Sequence, residues 1–300
     1  MKIQDLKKLT TEARHPETTA LDQMTPIEIL TIMNREDRRA AEAVERMLPK
    51  IARVVDFCVQ SLERGGRIVY MGAGTSGRLG VLDAVECPPT FGVEPECVVG
   101  LMAGGEKAFV RAVENAEDSE TLGREDLSAI GLGPEDTVIG IAASGRTPYV
   151  IHGMRYARSL GCRVAAVVCN RESAMAEEAD VAIELVTGPE VLTGSTRLKA
   201  GTAQKMTLNM ISTASMVGVG KVYENLMVDV RCSNHKLETR AENIVMDATG
   251  CGRARARAAL AENRGRAKPA IVQILLDCEP GQAQKALREA KGHVREAVKA

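Results

Sequence analysis

The strongest constraint on this 300-residue chain is a series of short apolar runs between 67 and 185, each followed by a polar turn and a helix-like stretch. The runs fall at 67–71, 97–101, 137–141, 163–168 and 181–185, and they have the length and composition of buried strands. Helical patterns separate them, from 77 to 85, at 107–116 and up to Tyr156. Apolar strands alternating with helices require a parallel sheet covered on both faces. The expected fold is α/β, a doubly wound five-stranded parallel sheet in the flavodoxin-like order 2-1-3-4-5.

The flanks are helical. Residues 1–23 are polar and read as a tail or an extended arm. Thr25-Pro26-Ile27-Glu28 reads as a capping box with proline at the first helical position. Apolar residues from Val44 to Leu62 follow helical spacing within 35–64, Pro49 should kink or split that helix, and Gly65-Gly66 stops it. A long helix is expected over 200–217. Beyond 240 the strands cease, and 241–300 reads as helical with a break at 277–280. The organisation predicted is therefore a sheet domain over 1–240 and a small all-helical domain over 241–300.

Composition excludes several classes of function. Lys and Arg number 39 against 40 Asp and Glu, so there is no basic excess for nucleic acid or an anionic membrane. Aromatics are 2% with no Trp, which argues against stacking platforms. The eight Cys form no C-x-x-C pair and His number four, so neither a zinc site nor a disulfide scaffold is expected. Unpaired Cys fit a reducing compartment. With no apolar leader and no apolar run near ~18 residues, the expectation is a cytoplasmic protein without signal peptide or membrane span.

The loops carry the chemistry. Gly72-x-Gly74-x-x-Gly77 sits between a strand and a helix, as a dinucleotide fingerprint does. The second strand ends Gly100-Leu101-Met102-Ala103, without the carboxylate that would hold a ribose, which argues against NAD. Thr75 and Ser76 instead place hydroxyls beside the amides of a helix N-terminus, which suits a phosphate monoester. Ser144-Gly145-Arg146-Thr147 repeats the arrangement after the third strand, and 193–199, with Thr193, Ser195 and Lys199, adds a third polar stretch. Any one of these alone reads as ordinary turn and capping chemistry. Three at one sheet edge point to a ligand, with phosphate expected between 74–77 and 144–147.

The segments GAGTSGRLG (72–80), DAVECPP (83–89), AVENAED (112–118), GIAASGRTPYV (140–150), TGSTRLKAGTAQK (193–205) and NLMVDV (225–230) resemble those of the N-acetylmuramic acid 6-phosphate etherases, a sugar-isomerase (SIS) domain family. The resemblance runs from about residue 6 to the C-terminus. It implies a homodimeric lyase that removes D-lactate from N-acetylmuramate 6-phosphate and leaves N-acetylglucosamine 6-phosphate, in peptidoglycan recycling. It implies no metal or nicotinamide cofactor, an active site shared across the dimer, and a ubiquitin-associated-like C-terminal module. By resemblance Glu86 is the acid toward the departing lactate and Glu117 the base at C2. Apart from the family, the acidic run around Glu117 reads as a solvated face and Glu86 as a helix-end residue, where the dipole would favour its protonated form. Arg78, Arg146 and Lys199 are candidates to neutralise phosphate or enolate charge, or members of salt bridges. His152 and His235 are candidates for ring opening, or structural histidines. The long apolar helices at 35–64 and 200–217 offer faces for a second copy. Two rivals share the fold: an aldose–ketose sugar-phosphate isomerase, and a non-catalytic sugar-phosphate sensor.

Overall fold

The computed structural model describes residues 9–111, 113–230 and 235–299, with side chains throughout except at 235–237. The chain divides into two compact units, residues 1–85 with 96–212, and residues 86–95 with 213–300.

The first unit is the sheet. Its elements are α1 (Pro26–Glu45), α2 (Leu48–Glu63), β1 (Ile68–Gly72), α3 (Gly74–Phe91), β2 (Val98–Met102), α4 (Gly105–Val110), α5 (Leu122–Ala129), β3 (Thr137–Ala142), α6 (Pro148–Ser159), β4 (Arg163–Val168), α7 (Ala174–Glu177), β5 (Val181–Glu184) and α8 (Lys199–Gly218). The last turns of α3 and α8 group with the second unit. All strand pairs are parallel in the order β2-β1-β3-β4-β5, the order expected. Every residue of β1 and β3 is buried, whereas the edge strand β5 alternates. Central strands are thus apolar on both faces because helices cover both. Val69, Met71, Val138, Met154 and Val164 anchor the core on one side. Gly72 is in register with Met102 and Ile141, so the chains leaving β1, β2 and β3 emerge side by side.

The expected split at Pro49 is present, and two helix boundaries differ from expectation. The stretch 35–64 is two helices, broken at Arg46–Met47, and Pro49 lies in the first turn of α2, where its missing N–H leaves no bond unmade. The helix predicted to end at 85 continues through Pro88 and Pro89 to Phe91. The helix predicted over 107–116 is α4, which stops at Val110 and leaves the acidic residues in a loop. At the N-terminus the capping box forms, with Thr25 N donating to Glu28 Oε2 at 2.8 Å. The described part of the arm is held by hydrogen bonds: Thr10 N donates to Asn170 Oδ1 at 2.9 Å and the Thr18 hydroxyl to Val191 O at 2.8 Å.

The second unit holds α9 (His235–Thr249), α10 (Arg253–Glu262), α11 (Ala267–Leu276), α12 (Pro280–Glu289) and α13 (Val294–Ala297) around Val245, Leu260, Ile271, Val272 and Leu287. The division falls earlier than the expected boundary at 240. Val228 and Val230 pack into this core, and buried Lys268 donates to Gly220 O at 2.8 Å and pairs with Asp229. Tyr223, Leu226, Met227, Val228 and Val230 therefore bury their side chains with the helices of this unit.

Candidate active site

The loop after β1 is shaped by close approach. A Cβ on Gly77 would lie 2.7 Å from Gly72 O, so only glycine lets α3 start this near the strand. Gly74, at φ +54°, opens α3 and leaves its first amides facing the sheet edge. Ser76 is turned inward: it is 7% exposed and its Oγ lies 2.9 Å from Gln204 Oε1 in α8. Arg78 reaches across to α4, donating from Nε to Phe109 O at 2.9 Å and from Nη2 to Ala108 O at 2.7 Å.

A cleft of about 250 Å³ opens at this edge, lined among others by Gly74, Arg78, Met102, Ala103, Val113 and Glu117. Gly74 and Glu117 therefore share one cavity, while Thr75, Ser76, Gly77 and residues 144–147 lie outside its lining. Glu117 is exposed, and its carbonyl accepts a hydrogen bond from Tyr149 N at 3.1 Å. Tyr149 is fully buried in the first turn of α6, and its hydroxyl donates to Asp126 Oδ2 at 2.7 Å. Burial and the neighbouring Asp126 push its phenol well above the usual tyrosine range, so it serves as a neutral anchor. Sequence reasoning missed Tyr149; the only signal was its place beside Pro148 at the start of a helix.

The loop after β3 neighbours this anchor. Gly145 sits at φ +70°, where an added Cβ would meet the Ser173 side chain at 2.4 Å. Ser144 Oγ accepts from Arg146 N at 3.3 Å, and Thr147 O receives the amides of Val150 and Ile151, which starts α6. Ser76 and Ser144 thus follow adjacent central strands at the same edge.

The third polar stretch differs. Glu190, 1% exposed, accepts from Lys199 N at 3.3 Å and Ala200 N at 2.9 Å, so a carboxylate already caps α8. Burial raises its pKa despite those bonds. Lys199 is 1% exposed and its ammonium lies 2.5 Å from Glu36 Oε2. That carboxylate also meets His15 Nε2 at 3.3 Å and Arg39 Nε at 3.3 Å. Burial disfavours the Glu36 charge, but its hydrogen bonds, led by that from Lys199, hold its pKa below the ordinary value. Lys199 is consumed by a buried ion pair and does not line the cleft; Thr193 and Ser195 lie in the turns that precede α8.

Glu86 is exposed on α3, twelve residues or about 18 Å of helix axis beyond Gly74. The helix continues five residues past it, so the terminal dipole expected to favour its protonated form is weaker than predicted. His152 Nε2 stands 4.0 Å from Glu120 and does not line the cleft, while the His235 side chain lies outside the described residues. Among the described residues no cluster of His, Cys, Asp and Glu is placed to hold a metal, and no helix is long and apolar enough to cross a membrane.

Comparison with known proteins identifies the fold and the family. Residues 50–158 match the glucokinase regulatory protein N-terminal SIS domain, and residues 119–214 match the SIS domain. An N-acetylmuramic acid 6-phosphate etherase from Geobacillus sp. is 57% identical over 293 residues, covering 98% of this chain and 99% of that protein. The enzyme of the same name from Mycolicibacterium smegmatis is 54% identical over 294 residues, with coverage of 98% and 99%. A solved structure from Bacteroides fragilis, described as a phosphosugar isomerase involved in capsule formation, is similar at a TM-score of 0.51 and 20% identity. It covers 67% of this chain and 95% of its own, and so supports the fold alone. Matched over nearly its whole length at more than half identity, the chain belongs to the N-acetylmuramic acid 6-phosphate etherase family.

Proposed function

We propose that this chain cleaves the D-lactyl ether of N-acetylmuramate 6-phosphate, a carbon–oxygen lyase reaction completed by water, giving N-acetylglucosamine 6-phosphate and D-lactate. The phosphate would sit against the amides of Gly74, Thr75, Ser76 and Gly77, with Ser144, Gly145 and Thr147 from the neighbouring loop. Arg78 and Arg146 supply positive charge at the same edge. Lys199 is left out because its charge is already neutralised.

The carboxylates then divide the work. In the open-chain sugar the C2 proton is acidified by the adjacent aldehyde, and Glu117 takes it to give an enolate. The C3 ether is a poor leaving group, so Glu86, as a neutral acid, protonates the departing oxygen. Water adds to the unsaturated aldehyde with the same pair acting in reverse. The single observation that carries this reading is that Gly74 and Glu117 line one cleft.

A homodimer belongs to the proposal. Leu82 is 46% and Val85 64% exposed on α3 beside Glu86, and Ile27 and Leu30 are 69% and 58% exposed on α1. Covering these faces with a second copy would desolvate Glu86, as a general acid requires, and would bring it to that copy's cleft. Sedimentation should give a dimer at micromolar concentration; a monomer would contradict this part. The activity itself is tested by incubating the protein with N-acetylmuramate 6-phosphate. D-lactate should be released; a ketose phosphate without lactate would favour the isomerase instead.

A further inference from the structure

The hydrogen bond between Ser76 and Gln204 has a direction that conflicts with anion binding. With Gln204 Oε1 at 2.9 Å, the Ser76 hydroxyl spends its only proton on the amide carbonyl and presents lone pairs elsewhere. A phosphate oxygen needs a proton from it. The same arrangement leaves Gln204 Nε2 buried without a hydrogen-bond partner, in a side chain 1% exposed. The first difficulty has a solution within the side chain itself. Turning the amide by 180° exchanges two atoms of nearly equal size and needs no other heavy atom to move. Nε2 then donates to Ser76 Oγ, and the Ser76 proton is freed for another acceptor. The amide oxygen takes the buried position on the same helix side as Thr207, whose hydroxyl is likewise buried and unpartnered one turn further along α8.

We propose that Gln204 is a positioning residue for phosphate: its amide nitrogen donates to Ser76 and so directs the Ser76 hydroxyl proton onto a phosphate oxygen. This rests on the phosphate reading of the 74–77 loop. It makes the first turns of α8 part of the binding apparatus through Gln204, not through Lys199.

The test is a set of variants read by KM and kcat for N-acetylmuramate 6-phosphate and by inhibition with N-acetylglucosamine 6-phosphate. Gln204→Glu can only accept when ionised and locks the Ser76 proton inward. KM and the inhibition constant should rise about tenfold or more with kcat retained, the size of one hydrogen bond to a charged group. Gln204→Met keeps the volume, removes the donor and buries no new charge, so it should raise KM less. In a Ser76→Ala background, Gln204→Met should add nothing further. An equal rise with and without Ser76, or no rise for either Gln204 variant, would overturn the proposal while leaving the phosphate site standing. If Ser76→Ala itself leaves KM and inhibition unchanged, the phosphate reading of the loop fails, and the role of Gln204 with it.

Discussion

The two ends of the same sheet each carry a cleft, and the larger one is at the wrong end for the chemistry. At the amino edge about 330 Å³ is lined by Arg64, Arg158 and Arg163 together with Phe57, Glu135 and Asp180. By charge alone this would pass for an anion site. Each guanidinium there is engaged: Arg64 pairs with Glu135 at 3.6 Å, Arg158 donates to Glu178 O at 3.2 Å, and Arg163 lies 5.2 Å from the centre of the Phe57 ring. Arg64 caps the carboxyl end of α2, and Arg158 lies in the last turn of α6. Cations belong at those ends, and an incoming anion would meet the negative ends of both dipoles. The carboxyl edge has fewer cations but gathers the N-termini of α3 and α6, glycines that let backbone amides approach, and an exposed carboxylate. Dipole direction and close backbone approach, more than net charge or volume, mark the ligand end of this parallel sheet.

Substitutions at the two ends should separate accordingly. The largest effect belongs to the carboxyl edge: Glu117→Gln should lower kcat by on the order of 10²–10⁴ with unchanged thermal stability. Equal activity would remove Glu117 from the mechanism. Next comes Asp136 at the amino edge, 4% exposed, which receives Arg67 N and Nε on one oxygen and Arg67 Nη2 and Gly133 N on the other. Asp136→Ala strands a partly buried guanidinium and should cost about 3 kcal/mol in denaturant unfolding, while the protein that remains folded keeps its KM. Burial works against the Asp136 charge, but the Arg67 and Gly133 hydrogen bonds hold its pKa below the ordinary value. Its stabilising contribution is therefore complete above the unfolded carboxylate pKa near ~4 and is lost as pH falls through the lowered folded value. Wild-type stability should decline in that acid window, and Asp136→Ala should decline less.

Gly145→Ala should be intermediate. A side chain at φ +70° that also meets Ser173 should cost about 1–3 kcal/mol, and it should raise KM because it shifts the loop beside Ser144. The smallest effect is expected for Arg163→Ala, which removes a cation–π contact worth about 0.5–1 kcal/mol and should leave both kinetic constants alone. A KM change there as large as that of Gly145→Ala would erase the distinction between the two edges.

The sheet was legible in the sequence because buried parallel strands are mostly apolar runs, and β1 and β3 are buried at every residue. The glycine spacing at 72–77 was legible for the same kind of reason: a close approach admits one residue type. What could not be read was which hydroxyls and cations are already used. Lys199 and Arg78 look alike in sequence, yet one is buried against Glu36 from α1 and the other grips the carbonyls of α4 at the cleft. Glu36 is 163 positions from Lys199, and no local pattern announces such a pairing. The end of α3 was misjudged: the helix expected to close at 85 runs through Pro88 and Pro89 to Phe91, each proline forgoing its own N–H bond to the preceding turn.

The central claim is that the acidic loop and the glycine loop form one catalytic cleft with Glu117 as its base. It is tested most directly by exchange of the C2 hydrogen of N-acetylmuramate 6-phosphate with solvent deuterium, followed alongside lactate release. Glu86→Ala should lose elimination yet still exchange C2, because Glu117 is intact, whereas Glu117→Ala should lose both. Exchange retained in Glu117→Ala and lost in Glu86→Ala would reverse the roles, and near-normal lactate release in both variants would contradict the account outright.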